Sequence, residues 1–406
     1  MNPFRFFRLP HGLMAVSLAA ALAFAATGAG IAQQPPPKKD EPTISAPHAI
    51  LIDAENGGVL YEKSPDELIF PASLAKLMTA EYVFHELKEG RLKLTDEFRV
   101  SENAWRKGGA PSGGSTMFAA IHSLVPVADL IRGMIIQSGN DACIVLAEGM
   151  AGNESEFAAR LTKRAREIGL ERSTFANSNG LPNPGTKVTT RELAKLARQI
   201  ILTYPDLYPI FGEREFTWNK IRQFNRDPLL GVVDGADGLK TGFTSEAGYG
   251  LVGSAVQNGL RLIVVVNGTK SAKERADDAK KLLEWGFRSF EQRVLFAEGQ
   301  TIGEAKVFGG ASGRVPLVAS GLVKIMVPKN GSERVVARII YQGPVPAPVA
   351  AGSPIGTLKV WRGDNVVLQM PLKAADSVEK GSMSQRAIDA VAETVINLFR
   401  SGAQRL

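Results

Sequence analysis

A hydroxyl and an amine lie three residues apart in one apolar stretch near the N-terminal end of the chain. Ser73 and Lys76 belong to residues 70–80, where apolar residues recur at helical spacing. Residues three apart share one face of a helix, so these two side chains should lie together. A buried lysine loses its proton more easily and can then act as a base toward a neighbouring serine. The pair predicts a serine nucleophile for acyl transfer.

Two further motifs follow along the chain. Ser138 and Asn140 lie at a break between two apolar helical segments, and the Lys-Thr-Gly motif at 240–242 leads into a predicted strand. Each motif alone is weak, since a second Ser-x-x-Lys begins at Ser377 and a second Ser-x-Asn begins at Ser101. The ordered set Ser-x-x-Lys, Ser-x-Asn, Lys-Thr-Gly is informative, because it is the order of the penicillin-recognising acyltransferases.

Longer segments around these motifs narrow the resemblance to one family. Residues 70–80, 138–142, 175–182 and 237–244 resemble the low-molecular-mass D-alanyl-D-alanine carboxypeptidases, the serine peptidases that trim peptidoglycan stem peptides. The resemblance covers residues 45–290 closely, and the β domain and the terminal amphipathic helix resemble the family's layout more loosely. It implies removal of the terminal D-alanine from a stem pentapeptide through an acyl-serine intermediate. It also implies β-lactam antibiotics as covalent inhibitors.

The resemblance assigns a role to each motif residue. It makes Ser73 the nucleophile, Lys76 its base and Ser138 a proton relay to the leaving amine. The implied substrate-binding residues are Asn140 for the substrate amide, Lys240 and Thr241 for the terminal carboxylate, and Gly242, Phe243 and Arg226. The backbone N–H groups of Ser73 and Phe243 match the oxyanion hole of the family, which stabilises negative charge on the reacting carbonyl oxygen.

Two of these residues depart from the family pattern. Phe243 follows the Lys-Thr-Gly motif where some members carry histidine or another polar residue. Arg226 is the candidate for an arginine that binds the terminal carboxylate, although its spacing to Lys240 is one residue longer than expected. The alternative for Arg226 is a solvated surface arginine.

The order of elements predicts an α+β fold. Strands are expected near residues 49–61, then many helices, then strands at 249–256 and 261–266 and a helix capped by Ser271. A helix is expected from Pro71 to Glu89. Residues 91–122 are rich in Gly, Ser and polar residues, and residues 113–118 within them are expected to form a loop near a site. This order fits an antiparallel sheet with a helical cluster, the β-lactamase/transpeptidase-like fold of the family. The predicted domains are a signal peptide (1–32), a leader (33–44), the carboxypeptidase domain (45–290), a small all-β domain (291–373), and a linker with an amphipathic C-terminal helix (374–406).

The N-terminus indicates export. Arg5 and Arg8 precede an apolar run at 13–26 and small residues suited to cleavage, and the run is short for a membrane span. An uncleaved anchor is the alternative. We expect a periplasmic protein that is peripheral on the outer face of the inner membrane. Its C-terminal helix (384–400) would contact the membrane surface or pack on the β domain.

Composition and charge argue against several other classes of protein. Loss of residues 1–32 removes two arginines and no acid, which lowers the net charge from +7 to +5, spread along the chain, so no nucleic-acid surface is expected. Cys143, the single cysteine, has apolar neighbours and is expected to be buried and inert. His48, His85 and His122 occupy no metal-binding spacing. The sequence therefore predicts neither a metal nor a cofactor.

Two alternative functions stay open on the sequence alone. A serine β-lactamase would share the three motifs, but no Glu-x-x-Leu-Asn segment lies between Ser138 and Lys240 to supply a deacylating glutamate. A non-catalytic cell-wall-binding protein on the same fold is the second alternative. The complete motif set argues against it.

Overall fold

The computed structural model describes residues 41–331, 334–363, 365–387 and 389–391. The described residues from Pro42 onward form one compact unit. The predicted signal peptide and most of the predicted leader lie outside the described residues, as does the predicted C-terminal helix beyond residue 391. Within the described ranges, no helix is both long and apolar enough to cross a bilayer.

Within the described residues, helices predominate between residues 76 and 203, and most of the strands lie before and after them. The strands of the first part are β1 (His48–Asp53), β2 (Val59–Lys63), β3 (Glu97–Arg99), β4 (Leu124–Pro126), β5 (Glu215–Trp218), β6 (Ile221–Phe224), β7 (Ala236–Thr244), β8 (Gly248–Gln257) and β9 (Leu260–Thr269). The α-helices are α1 (Lys76–Lys88), α2 (Glu102–Gly108), α3 (Val127–Ile135), α4 (Asn140–Ala151), α5 (Glu154–Glu167), α6 (Thr190–Thr203) and α7 (Ala272–Ser289). Short 3-10 helices cover Ala72–Ala75, Ala110–Ser112 and Tyr208–Gly212.

A five-stranded antiparallel sheet in the order β2-β1-β9-β8-β7 forms the frame of the first part. Its strands come from both ends of the 48–269 region, so the sheet closes over the helices in between. This arrangement confirms the predicted α+β class. Strand β7 pairs only with β8 among the described strands, which leaves one edge of β7 unpaired.

The sheet is buried on both faces. Successive side chains of a strand point to opposite sides, so neighbouring residues pack into different cores. In β1, Ile50 and Ile52 pack into the core formed with α1, α3, α4 and α6, whereas Leu51 packs into the core formed with α7. The continuous apolar run of β1 is therefore what a strand between two helical layers requires. The predicted cap of α7 is present, since Ser271 Oγ accepts a hydrogen bond from Glu274 N.

The expected single helix from Pro71 to Glu89 is wrong in its first turn. A 3-10 helix covers Ala72–Ala75, and α1 begins at Lys76. The physical reason is the backbone of Ala72, whose φ of 49° lies in the left-handed region and cannot start a regular α-helix. Ser73 therefore lies in a tight turn in front of α1.

The Gly-, Ser- and polar-rich region at 91–122 contains a helix that was not predicted from the sequence. Helix α2 lies inside residues 91–122, and Ser101 is its N-cap, with Oγ accepting from Ala104 N at 2.9 Å. The second Ser-x-Asn copy is thus a capping serine. The β5–β6 hairpin was also not predicted.

The last part of the described chain is an all-β domain, as predicted. Its strands are β10 (Phe290–Phe296), β11 (Gly303–Phe308), β12 (Arg314–Ala319), β13 (Val323–Pro328), β14 (Val335–Tyr341), β15 (Val345–Pro346), β16 (Pro354–Arg362) and β17 (Asn365–Ala374). They form a six-stranded sheet, β14-β16-β17-β12-β11-β15, and the pair β10-β13. These strands enclose a separate apolar core.

Candidate active site

Lys76 is buried at the start of α1 and lies at the centre of a polar cluster. Its Nζ lies 2.9 Å from Ser73 Oγ, 2.9 Å from Asn140 Oδ1 and 2.7 Å from the Asn179 carbonyl oxygen. The residue is only 1% exposed. Three acceptors surround the amine, so its orientation toward Ser73 is fixed by partners from three separate segments of the chain.

Burial makes this amine easier to deprotonate. It is the main cause that lowers the pKa of Lys76 from the usual 10.5 to about 8, and the positive charge of Arg226 acts in the same direction. The carboxylate of Asp141 acts in the opposite direction. A substantial fraction of Lys76 is therefore neutral near pH 8, as a base toward Ser73 must be.

Ser138 and Asn140 lie between α3 and α4, where the sequence predicted a break. Ser138 has a left-handed backbone with φ of 64°, and its Oγ is buried without a hydrogen-bond partner among the described residues. A buried hydroxyl without a partner is uncommon in folded proteins. Asn140 is buried and contacts Lys76 directly. The structure thus brings Asn140 to the Ser73–Lys76 pair and leaves the Ser138 hydroxyl available.

The Lys-Thr-Gly motif lies on β7, the edge strand that packs against the Ser73 turn. Lys240 is buried, and its Nζ donates to the Thr241 carbonyl oxygen at 3.1 Å. Burial lowers the pKa of Lys240, and so do the nearby charges of Lys76 and Arg226. A Cβ on Gly242 would lie 2.9 Å from the Pro71 carbonyl oxygen. Glycine at this position therefore lets the strand approach the turn.

Phe243 and Arg226 lie at the exposed side of the site. The Phe243 ring is 53% exposed and stacks on Tyr249 with 4.1 Å between ring centroids. The Arg226 side chain is also exposed, and its Nη1 donates to Ser115 Oγ at 2.7 Å. The positive charge of Arg226 lowers the pKa of both Lys76 and Lys240.

The loop between α5 and α6 contributes contacts that were not predicted as functional. Asn179 accepts from Lys76 through its backbone carbonyl, and Thr79 Oγ1 donates to the Ser178 carbonyl at 2.6 Å. Gly180 has φ of 76°, and a Cβ there would lie 1.9 Å from the Ala72 carbonyl oxygen. The loop therefore packs directly against the Ser73 turn. In the sequence, the only indication that this loop belongs to the site was the segment at 175–182, which resembles the carboxypeptidase family.

Asp141 is a second residue that was not predicted. Its buried carboxylate accepts hydrogen bonds from Thr116 Oγ1 and from the backbone N–H groups of Met117, Ala119 and Ala142, at 2.6–3.1 Å. The neighbouring Asn140 N–H donates to the Ser115 carbonyl at 2.8 Å. These bonds hold residues 115–119 beside Asn140. The acidic residue after the Ser-x-Asn motif thus positions residues 115–119.

Cys143 packs behind this cluster and is buried, as expected. Its Sγ lies 3.3 Å from the Gly139 carbonyl oxygen, and burial raises the pKa of the thiol to about 12. The thiol therefore stays protonated at neutral pH and is a poor nucleophile. Among the described residues, no group of three His, Cys, Asp or Glu side chains is arranged to hold a metal ion.

Comparison with known families divides the chain into two matched regions. Residues 34–271 match the model of the D-alanyl-D-alanine carboxypeptidase family. Residues 290–380 match the model of the penicillin-binding protein 5 C-terminal domain. The first match alone covers more than half of the chain.

Individual relatives and solved structures agree with these matches. The D-alanyl-D-alanine carboxypeptidase DacC of Escherichia coli is 39% identical over 355 residues, which are 87% of this chain and 89% of that protein. A crystal structure of penicillin-binding protein 5 from Haemophilus influenzae has a TM-score of 0.75 and 36% identity, covering 84% of this chain and 99% of its own. An ampicillin-bound penicillin-binding protein from Listeria monocytogenes has a TM-score of 0.53 and 31% identity, covering 61% of this chain and 99% of its own.

Proposed function

The chain belongs to the D-alanyl-D-alanine carboxypeptidase family, and we propose that Ser73 is the nucleophile with which it forms an acyl-enzyme. The protein is a serine-type D-Ala-D-Ala carboxypeptidase that acts on peptidoglycan peptides. One observation supports Ser73 most directly, namely that the buried Lys76 amine lies 2.9 Å from its Oγ. A base within hydrogen-bond distance is what activation of a serine requires.

Acylation begins with proton transfer from Ser73 to Lys76. A neutral Lys76 can donate to Asn140 and Asn179 and still accept the Ser73 proton with its lone pair. Ser73 Oγ then attacks the carbonyl carbon between the last two D-alanines, and an ester to Ser73 replaces the peptide bond. The N–H groups of Ser73 and Phe243 would stabilise the developing oxyanion, an effect often worth about 3 kcal/mol.

The proton held by Lys76 must then reach the amine of the departing D-alanine. Ser138 has a buried hydroxyl without a partner in the described chain, so it can relay this proton. Water next attacks the ester with Lys76 again as base, and Ser73 is regenerated. Each cycle consumes one water and releases one D-alanine and the shortened peptide.

Lys240, Thr241 and Arg226 would bind the terminal carboxylate of the substrate. In the free site, burial and the Lys76 charge lower the pKa of Lys240. A bound carboxylate stabilises the protonated form of Lys240, because an opposite charge favours ionisation. When Lys240 is protonated, Lys76 is the amine that remains neutral and can act as the base.

The same nucleophile accounts for β-lactam binding. A β-lactam carbonyl at the Ser73 position would be attacked in the same way, which opens the ring and leaves an ester. The family includes penicillin-binding proteins, and one related structure contains ampicillin. β-Lactam antibiotics are therefore covalent ligands of this protein, and benzylpenicillin serves as a probe of Ser73.

Export and membrane association complete the proposal. The basic and apolar N-terminal residues support a cleaved signal peptide and a periplasmic location. The amphipathic residues after Ser384 support a peripheral contact with the outer face of the inner membrane. Deletion of the residues after Lys380 should release the protein from the membrane fraction, and retention there would argue against this contact.

The enzymatic assignment is tested by release of D-alanine from a stem pentapeptide. Ser73→Ala should abolish release, because no other hydroxyl replaces the Ser73 oxygen. Ser377→Ala is the matched control, since Ser377 begins the second Ser-x-x-Lys copy but its Oγ accepts from Ala351 N at an exposed position. Release by Ser73→Ala would reject the assigned nucleophile. Rapid turnover of a chromogenic cephalosporin would instead favour a β-lactamase.

A further inference from the structure

The segment between β6 and β7 carries a buried carboxylate, Asp227, directly after Arg226. Asp227 is 6% exposed, and its Oδ1 accepts a hydrogen bond from Leu229 N at 2.9 Å. Its Oδ2 is buried and has no hydrogen-bond partner among the described residues. Burial of a charged oxygen without a hydrogen bond is costly and uncommon. An asparagine would serve the turn equally well through its own Oδ1, so the turn does not explain the negative charge.

The segment packs on the catalytic sheet at the level of Lys240. Leu229 is buried in the core formed with α7, and a Cβ on Gly253 of β8 would lie 2.5 Å from Leu229 Cδ1. Gly253 is the partner of Leu239 on β7, which directly precedes Lys240. Asp227, two residues before Leu229, therefore belongs to the segment that packs one register position away from Lys240.

The charges around Lys240 are mostly positive. Burial lowers the pKa of Lys240 most, and the positive charges of Lys76 and Arg226 act in the same direction. The negative charge of Asp227 raises the pKa of Lys240. The Cys143 thiol supplies no counter-charge, because it stays protonated at neutral pH. Loss of the Asp227 charge would therefore make the Lys240 ammonium easier to deprotonate.

Asp227 is itself ionised at neutral pH. Burial raises its pKa to about 6, against the N–H group of its turn and the positive charges of Arg275 and Lys240. The negative charge of Asp237 also raises this pKa, but the Asp237 carboxylate is paired with Arg261 at 2.8 Å. Above about pH 6, the Asp227 carboxylate is therefore predominantly negative and available as a counter-charge.

We propose that Asp227 is a positioning residue that keeps Lys240 protonated before the substrate binds, so that the terminal carboxylate meets an ammonium. The inference rests on the proposed function, in which Lys240 and Thr241 bind that carboxylate. A charged donor binds a carboxylate about twice as strongly as a neutral donor does. Substrate binding by the Lys-Thr-Gly motif thus depends on an acidic residue that lies outside the three motifs.

The test measures KM and kcat for D-alanine release from a stem pentapeptide between about pH 6 and pH 10. Asp227→Asn removes the charge and keeps an acceptor for Leu229 N. We expect its KM to begin rising at a lower pH than the wild-type KM, because Lys240 loses its proton earlier. At pH 8 its KM should be higher by about fivefold or more. The value of kcat should change by less than about twofold, since the bound carboxylate restores the proton on Lys240.

Two controls separate this effect from a loss of structure. Asp234→Asn removes an exposed charge from the same segment and should leave the profiles of KM and kcat unchanged. Benzylpenicillin labelling of Ser73 reports whether each variant retains a folded site. Asp227→Ser also removes the charge and keeps an acceptor for the turn, so it replaces Asp227→Asn if that variant fails to fold.

Three results would overturn the role of Asp227. They are an unchanged KM in the folded variants, a higher KM without a shift along the pH axis, and a lower KM, which would mean that Asp227 repels the substrate. If the wild-type protein is labelled and releases D-alanine, these results refute only this inference. If the wild-type protein is not labelled and releases no D-alanine, the proposed function itself is refuted.

Discussion

Lys76 shows how surroundings convert an ordinary residue into a base. The second Ser-x-x-Lys copy in this chain begins at the exposed Ser377, and residues 377–380 lie outside the helices. The difference is burial together with acceptors from distant segments, Asn140 and Asn179. Spacing predicted that Ser73 and Lys76 would meet. It could not predict that the Asn179 carbonyl would accept from Lys76, because every residue type has a backbone carbonyl.

The pKa of Lys76 leads to a pH prediction. Below its folded pKa of about 8 the amine is an ammonium and cannot accept the Ser73 proton. The rate constant for acylation by benzylpenicillin should therefore rise with pH through about 8 and level off above it. Lys76→Arg should lower this rate by about 10²- to 10⁴-fold, since a guanidinium stays protonated. Lys93→Arg, at an exposed position, is the control. A pH-independent rate would contradict the role of Lys76.

At the scale of elements, the catalytic turn is held between two segments that are distant in sequence. Strand β7 packs on one side through Gly242, and the loop around Gly180 packs on another. The motif residues on this frame could be predicted because their types are informative. The 3-10 geometry of Ala72–Ala75 could not, since it depends on the left-handed backbone of Ala72 and on tertiary contacts.

Gly180 tests whether this packing matters for catalysis. Gly180→Ala would place a Cβ 1.9 Å from the Ala72 carbonyl oxygen and should displace the Ser73 turn. Gly169→Ala is a matched control, because Gly169 has a similar φ of 78° but open space around the added Cβ. Both changes cost about 1–2 kcal/mol for the left-handed backbone. Only Gly180→Ala should also slow penicillin acylation, by about tenfold or more. Equal acylation rates in the two variants would show that the loop does not position Ser73.

At the scale of the whole molecule, the β domain is joined to the catalytic sheet by a buried arginine. Arg362 on β16 donates to the Met326 carbonyl in the β domain and to the Val59 carbonyl on β2, both at 3.0 Å. Its guanidinium also lies over the Phe290 ring at 5.2 Å. The all-β character of this domain was predicted from short apolar runs between turns. The junction was not, because Arg362 has no local signal that distinguishes it from a surface arginine.

Arg362→Met tests how strongly this junction stabilises the protein. The change leaves a buried carbonyl group at Met326 and a partly buried one at Val59 without their charged donor, so we expect a loss of about 2–3 kcal/mol in the free energy of unfolding. Arg334→Met, at an exposed position just before β14, should change it by less than about 0.5 kcal/mol. Thermal and denaturant unfolding of the two variants provide the measurement. Similar stabilities would indicate that the junction contributes little.

The central claim is that Ser73 becomes covalently bonded to the substrate carbonyl, with Lys76 as the base. It is tested most directly by mass spectrometry of the intact and digested protein after brief exposure to benzylpenicillin. The account predicts one added penicilloyl group, located on Ser73 and absent from Ser73→Ala. An adduct on another residue, or one that persists in Ser73→Ala, would contradict it.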